Sequence, residues 1–374
     1  MSDIYDDIRP FTDAEAAREL PKLADSAMVV KAGRFFFADK PDDYLPSLIR
    51  SCRSVNDFQE KVVSQIVERD LELTHSQLSY SGIENLLDAD GKMGCFVFLS
   101  THRDIVLDPA FLEFALFKNG LPESEIAAGD NLLASREIEI AMRSNRMITV
   151  VRSDNPRVVY ESSKKLSSYI RERVSSKQQS VWISHRGGRT KDGNDRTEQG
   201  LLKMLDMSGK GSFLENFMEL NIVPVTISYE YETCGALKAL ETLTKERQGF
   251  YKKQPGEDVN SMLQGFLQHK GRIHVDFGKP LTEEELLQAD SAQRNDKFRI
   301  LANILDQKLK ASFHLWPTNY AAADMVTGRS DYLQQGLYTA EDRERLETRL
   351  RKESEGMPPE IYSRMVKLYA AHII

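Results

Sequence analysis

The chain has 374 residues, 50 Lys plus Arg against 57 Asp plus Glu, and a formal net charge of −7; 41% of it is apolar and 29% charged. That balance excludes a disordered chain and a collagen-like fibre, and the length gives room for about two domains, or one large α/β domain with helical additions. No window supplies the roughly 18–20 consecutive apolar residues of a membrane span. The N-terminus is acidic rather than basic and then apolar, so no export signal is read, and the three widely spaced cysteines, Cys52, Cys95 and Cys234, fit neither a disulfide framework nor a zinc site. The chain is expected to work in the cytoplasm.

Residues 1–77 read as a helical region. Between Asp57 and Leu71, Phe58, Val62, Ile66 and Leu71 recur close to a helical period, so this stretch should bury one face. From Leu78 the pattern becomes short apolar runs that end in turn-forming or charged residues. Candidate strands start at Leu78, Cys95, Met147, Ser180, Ile222 and Arg272, with helical stretches between them such as 155–175. Continuous apolar strands alternating with helices predict an α/β domain over 78–280, built on a mostly parallel sheet covered by helices. Its chemistry should lie in the loops at the C-terminal ends of the strands. Residues 281–374 read as helical again, interrupted at Pro317, which cannot continue a helix.

The net charge conceals a division. Residues 136–203 hold 15 Lys plus Arg and 8 Asp plus Glu, a local +7, which leaves 35 against 49, or −14, for the rest. A basic middle of this kind attracts anions more strongly than the net charge suggests, although a solvated helical face gives the same count.

Directly after the apolar run 95–99 comes Ser100-Thr-His-Arg-Asp-Ile-Val-Leu-Asp-Pro. His102 with Asp104 and Asp108 has the ingredients of a base and its orienting carboxylate. His102-Arg103-Asp104 and Asp276-Phe277-Gly278 match two kinase triplets. The kinase reading fails because Pro109 stands where the metal-binding Asn belongs, the triplets lie more than 170 residues apart, and no Gly-rich loop precedes them. Ser100 lies near His102, but no Gly-x-Ser-x-Gly elbow exists to make it a hydrolase nucleophile.

Three further stretches follow. Asn145 to Arg152 is a strand delivering an arginine at its end. Val181 to Gly193 is a strand running into a Gly-Gly loop with Arg186, Gly188, Arg189 and Lys191. Asn221 to Glu230 is an apolar strand with Pro224 inside. Glycines let backbone approach a ligand, and guanidinium groups suit bidentate phosphate recognition.

The order of these four blocks over about 78–280 resembles the glycerolipid acyltransferase superfamily, the glycerol-3-phosphate and 1-acylglycerol-3-phosphate O-acyltransferases. Its blocks are a His-x-x-x-x-Asp pair, a strand ending in Arg, a Glu-Gly-x-Arg loop and an apolar strand containing Pro. His102 looks like the catalytic His, and Arg152, Arg189 and Pro224 look like the characteristic residues of the other three blocks. Val275-Asp-Phe-Gly-Lys-Pro resembles the strand and turn that close the domain. Two departures stand out. Five residues rather than four separate His102 from Asp108, which in continuous helix would turn the Asp by ~100°, so either a bulge precedes the helix or Asp104 takes its place. The Glu of the third block falls on Arg186, reversing the charge.

The resemblance implies acyl transfer from acyl-CoA or acyl carrier protein, with no bound cofactor and no metal, to a hydroxyl of glycerol 3-phosphate or lysophosphatidate. His102 would act as base with Asp108 as its partner. Arg103, Arg152, Arg186, Gly188, Arg189, Lys191 and Pro224 would form the substrate site. A lipid product implies peripheral contact with the inner face of the cell membrane. Ala110–Lys118, too apolar for one helix face, could supply that contact or be a core helix. No nucleic-acid partner is implied. The alternative is a catalytically altered lipid- or phosphate-binding relative of the same fold.

Overall fold

The computed structural model describes residues 4–293 and 296–374, so the first three residues of the acidic N-terminal stretch lie outside the described residues. Seven strands, β1 (Gln77–Ser81), β2 (Val97–Ser100), β3 (Glu125–Gly129), β4 (Met147–Val150), β5 (Val181–Ser184), β6 (Ile222–Tyr229) and β7 (Arg272–Phe277), form one sheet in the order β1-β7-β6-β2-β5-β3-β4. Every neighbouring pair is parallel except β6 with β7. The five strands β2 to β6 therefore point the same way, and their C-terminal ends share one edge. Neighbouring strands lie ~4.8 Å apart, so residues just past β2, β5, β3 and β4 are brought close in that order along the edge.

The central strands β2, β4, β5 and β6 read as mostly apolar runs because both faces are covered, whereas β1 and β7 alternate. Side chains of one strand alternate between two cores. Val97 and Leu99 pack with Leu166 and Ile170 of the helix Pro156–Ser175 and Leu301 and Leu305 of the helix Asp296–Ser312. Phe96 and Phe98 pack on the other face with Phe111, Leu112 and Leu116 of the helix Leu107–Lys118. That helix is a core helix, buried from Phe111 to Leu116, so 110–118 cannot be the membrane contact considered from its composition. All-round apolarity is the mark of a helix buried on every side. The C-terminal helices are equally integral, since Leu281, Leu286 and Leu301 belong to the same core as β2.

Two elements differ from the sequence reading. β3, Glu-Ile-Ala-Ala-Gly, carries too few β-branched or aromatic residues to announce itself as a strand. The stretch 57–71 is helical but broken by a π-turn at Gln59–Val63, which shifts its face so that Phe58 and Val62 are buried while Leu71 is only partly so.

Pro224 is tolerated in a central strand because of where the ladder ends. Its C=O accepts the Gly278 N–H at 2.9 Å, on the β7 side, and β7 pairing begins only at Val225 with Phe277. The missing N–H would point to that same side, past the end of β7, so the β2 ladder loses nothing. A Cβ on Gly278 would stand 2.8 Å from the Pro224 oxygen, so the turn after β7 requires glycine there.

Glu113, inside the core helix, is buried and accepts from the backbone N–H and hydroxyl of Ser124. Burial pushes its carboxyl up from 4.5 to about 8, with Glu123 adding to the shift. The folded state therefore favours the protonated form, and its stabilisation is fully present below the unfolded value and lost as pH rises towards the folded one. Wild type should lose unfolding temperature relative to Glu113→Gln as pH rises from about 5 to 8. Parallel pH profiles for the two proteins would show that the buried carboxyl is not the cause.

Candidate active site

His102 lies two residues beyond β2, and its Nδ1 is 3.0 Å from Asp108 Oδ2. Helix begins only at Leu107, so the extra residue between them is absorbed in the non-helical stretch 103–106. Asp104 holds that stretch: its Oδ1 accepts the backbone N–H groups of Val106 and Leu107, each at 3.0 Å. It caps the helix and is not the partner of His102.

Asp108 is fully buried and surrounded by donors. Its Oδ2 also accepts the N–H of Arg103 at 2.5 Å and of Asp104 at 2.8 Å, and its Oδ1 accepts the Tyr229 hydroxyl at 2.7 Å. Burial and the neighbouring carboxylate push the Tyr229 phenol well above its ordinary value, so it remains a donor. An acceptor facing Nδ1 places the imidazole proton there and leaves Nε2 with its lone pair. The ring of Trp182 lies edge-on to His102 at 5.9 Å and fixes its other side.

His102 opens into a cleft of about 540 Å³, lined by the edge residues in the order the sheet predicts: His102 after β2, Gly187, Gly188, Arg189 and Lys191 after β5, Gly129 and Asn131 at β3, and Arg152 after β4. Arg152 is exposed, its backbone N–H bonded to Asp130 at 3.1 Å. The Arg189 guanidinium is mostly buried; Nη2 reaches Ser261 Oγ at 3.2 Å and Nη1 is without a hydrogen-bond partner. Lys191 pairs with Glu241, and burial still holds its ammonium below the ordinary value. Gly188, at φ +81°, turns the loop along the cleft wall. Lys253 and Asp258, paired at 2.5 Å, come from outside the four blocks. Four cations against one carboxylate leave the cleft lining with an excess of positive charge.

Three of the sequence candidates lie elsewhere. Arg103 is 2% exposed and cannot touch a ligand in the cleft. Its Nη2 bonds Asp195 at 2.6 Å and His372 at 2.5 Å, and Glu232 lies 3.7 Å from Nη1. Burial opposes ionisation of Asp195, but Arg103 and His372 outweigh it and hold the carboxyl well below its usual range. Arg186 does not line the cleft, and Pro224 sits in the sheet. The charge reversal at Arg186 is answered by Glu198, whose carboxylate accepts the Gly187 N–H at 3.0 Å while its own N–H bonds His185 C=O at 2.9 Å. No sequence pattern announces Glu198, Lys253 or Asp258, because their positions depend on how the loops return to the edge. The kinase-like triplet is sheet structure: Asp276 accepts the Ser81 hydroxyl at 2.6 Å and Phe277 is core. Ser100 Oγ donates to Thr101 C=O at 2.7 Å from a fully buried position, which removes it as a nucleophile.

No described helix is long and apolar enough to cross a membrane. No curated protein matches the chain. Among solved structures, the 1-acyl-sn-glycerophosphate (LPA) acyltransferase PlsC from Thermotoga maritima is similar over 80% of this chain and 98% of its own, at 12% identity and a TM-score of 0.39. Residues 77–230 match the family model described as Acyltransferase. That segment contains all four blocks, from His102 to Pro224, so the part of the chain that holds the candidate site is the part similar to the acyltransferase family.

Proposed function

We propose that the protein transfers a fatty acyl group from an acyl thioester, acyl-CoA or acyl carrier protein, to a hydroxyl of glycerol 3-phosphate or lysophosphatidate in phospholipid synthesis. The observation that carries this reading is the His102–Asp108 pair, 3.0 Å apart, at the wall of a cleft that also holds Arg152, Arg189 and Lys191. With its proton on Nδ1, His102 takes the acceptor's hydroxyl proton at Nε2 as the oxygen attacks the thioester carbonyl, and the proton then passes to the departing thiolate. Asp108 stabilises the imidazolium formed between the two steps. The acceptor supplies the nucleophile, so no serine or cysteine of the chain is called on.

Arg152, exposed and with no ion pair among the described residues, suits the acceptor's phosphate, and Arg189 adds positive charge to the same cleft wall. Holding it there orients the hydroxyl against His102 and converts a bimolecular encounter into a positioned one. The binding-only alternative drew on the missing carboxylate of the third block, and Glu198 supplies a carboxylate to that loop. The reading places the protein in the cytoplasm, peripheral to the inner face of the cell membrane.

His102→Ala should lower turnover by more than ~10²-fold with the unfolding temperature preserved. Substantial acylation by this variant, across a panel of acyl donors and acceptors, would remove the mechanism. Arg152→Ala should raise the acceptor KM about tenfold or more while turnover changes little, because it loses a charge-assisted contact made in both ground and transition states; an unchanged KM would move the phosphate elsewhere. Arg103→Met separates the two kinds of arginine. Removing one partner of a buried ion pair costs about 3–5 kcal/mol, so urea unfolding should register the loss that acceptor affinity does not.

A further inference from the structure

Asp195 does not line the cleft, yet its side chain, 5% exposed, holds two residues that fix His102. The first is Arg103. Its backbone N–H bonds Asp108, the partner of His102, at 2.5 Å, and its guanidinium Nη2 bonds Asp195 Oδ2 at 2.6 Å. The second is the fully buried Thr190. Its backbone N–H bonds the His102 carbonyl at 2.7 Å, and its hydroxyl donates to Asp195 Oδ1 at 2.6 Å. Each oxygen of Asp195 thus grips one residue whose backbone N–H reaches the His102–Asp108 pair, so the His102 peptide and the Asp108 carboxylate are tied to one common point.

That point is braced from several segments. The loop that carries Asp195 lies against the helix Glu360–Ala370 and the residue after it: a Cβ on Gly193 would stand 2.5 Å from the Leu368 carbonyl oxygen and from Ala371 Cβ. His372 Nε2 comes within 3.3 Å of Asp195 Oδ2, and the Phe313 ring lies 5.3 Å from the Arg103 guanidinium. Glu232, paired with Lys238 at 2.5 Å, stands 3.7 Å from Arg103 Nη1, and His185 Nε2 is 3.9 Å from Asp195 Oδ1. Burying such a carboxylate costs desolvation that its ion pairs roughly repay, so stability alone accounts poorly for it. What a buried carboxylate with fixed donors does supply is direction, and a base must be held within about 0.5 Å of its working geometry.

We propose that Asp195 is a positioning residue: through Thr190 and Arg103 it holds the His102 imidazole in register with Asp108, with the C-terminal helix as its brace. The proposal rests on the acyltransferase reading for what His102 does, but the placement of the ring is measured without catalysis. Two variants of the full chain loosen the grip, Asp195→Asn and Thr190→Val, the second removing only a hydroxyl and leaving every charge in place. In each, turnover should fall about tenfold or more while the KM of donor and acceptor stays within about twofold, because neither side chain lines the cleft. The Nδ1 proton of His102, read as a downfield NMR signal that His102→Ala lacks, should move upfield or vanish in both variants, and Thr190→Ser should restore signal and turnover. Arg171→Met removes a buried arginine that binds the Leu205 and Asn216 carbonyls outside the cleft, and should lower the unfolding temperature without moving the signal. A wild type without the signal, a folded Thr190→Val whose signal or turnover is unchanged, or equal losses in Arg171→Met would each overturn the proposal. Should the wild type acylate nothing, the signal alone decides: a shift in both variants keeps the positioning role and discards the acyltransferase reading, and no shift overturns both.

Discussion

The sheet edge that carries the candidate site depends on one buried carboxylate. Asp108 collects the Arg103 and Asp104 backbone N–H groups, the Tyr229 hydroxyl and His102 Nδ1. An unpaired carboxylate at that depth would be costly, and several donors must converge on it for the position to be tolerable. The convergence sets the path of the chain from 102 to 107, the start of the core helix in whose first turn Asp108 lies, and the imidazole's tautomer. The favourable field of the helix N-terminus acts in the same sense, since it stabilises negative charge in the first turn. Fold and site geometry here are one constraint, because one of the bonds that satisfy the carboxylate also orients the His102 ring.

A second buried tie locks the His loop to the loop after β5. Thr190 donates its N–H to the His102 carbonyl at 2.7 Å and its hydroxyl to Asp195 at 2.6 Å, and Asp195 in turn pairs with Arg103. The C-terminal end of the chain completes the cluster, with His372 stacked on Phe313 at 3.6 Å and its Nε2 3.3 Å from Asp195. Burial alone would be unfavourable for each member, so the cluster holds together only as a set. The helical C-terminal region is in this sense packed behind the loop that carries His102.

How much of this was legible in the sequence follows from the range of each interaction. Mostly apolar runs marked β2, β4, β5 and β6, because burial on both faces leaves a local mark, and β1 and β7 showed themselves by alternation instead; β3 left none, its Ala and Gly being poor strand formers. His102 and Arg152 were legible because each follows its strand end closely, where an α/β sheet delivers its chemistry. Arg103 was misread because its charge and place beside His102 say nothing about which way the side chain turns. The basic segment 136–203 was likewise too coarse. Arg171 binds the carbonyls of Leu205 and Asn216, Arg173 pairs with Glu125, and Arg143 binds the carbonyls of Asp6 and Arg9, so these arginines tie structural elements together and do not line the cleft. Only Arg152, Arg189 and Lys191 of that segment line the cleft.

The two departures from the family pattern have a common physical form. The extra residue before Asp108 would rotate it away from His102 if helix were continuous, yet Asp104 lies within the same short stretch and caps the helix at Leu107, so the added residue is spent in the loop. The carboxylate missing at Arg186 returns from Glu198, eleven residues past the Gly187 N–H that it binds. In each case the side chain that restores the geometry comes from the same loop as the change or from the segment that closes it. A motif written as residue types at fixed spacing registers both as defects. What the structure keeps is an acceptor at Nδ1 and a fixed loop beside a cationic cleft, and several spacings can meet those conditions once a local side chain takes up the slack.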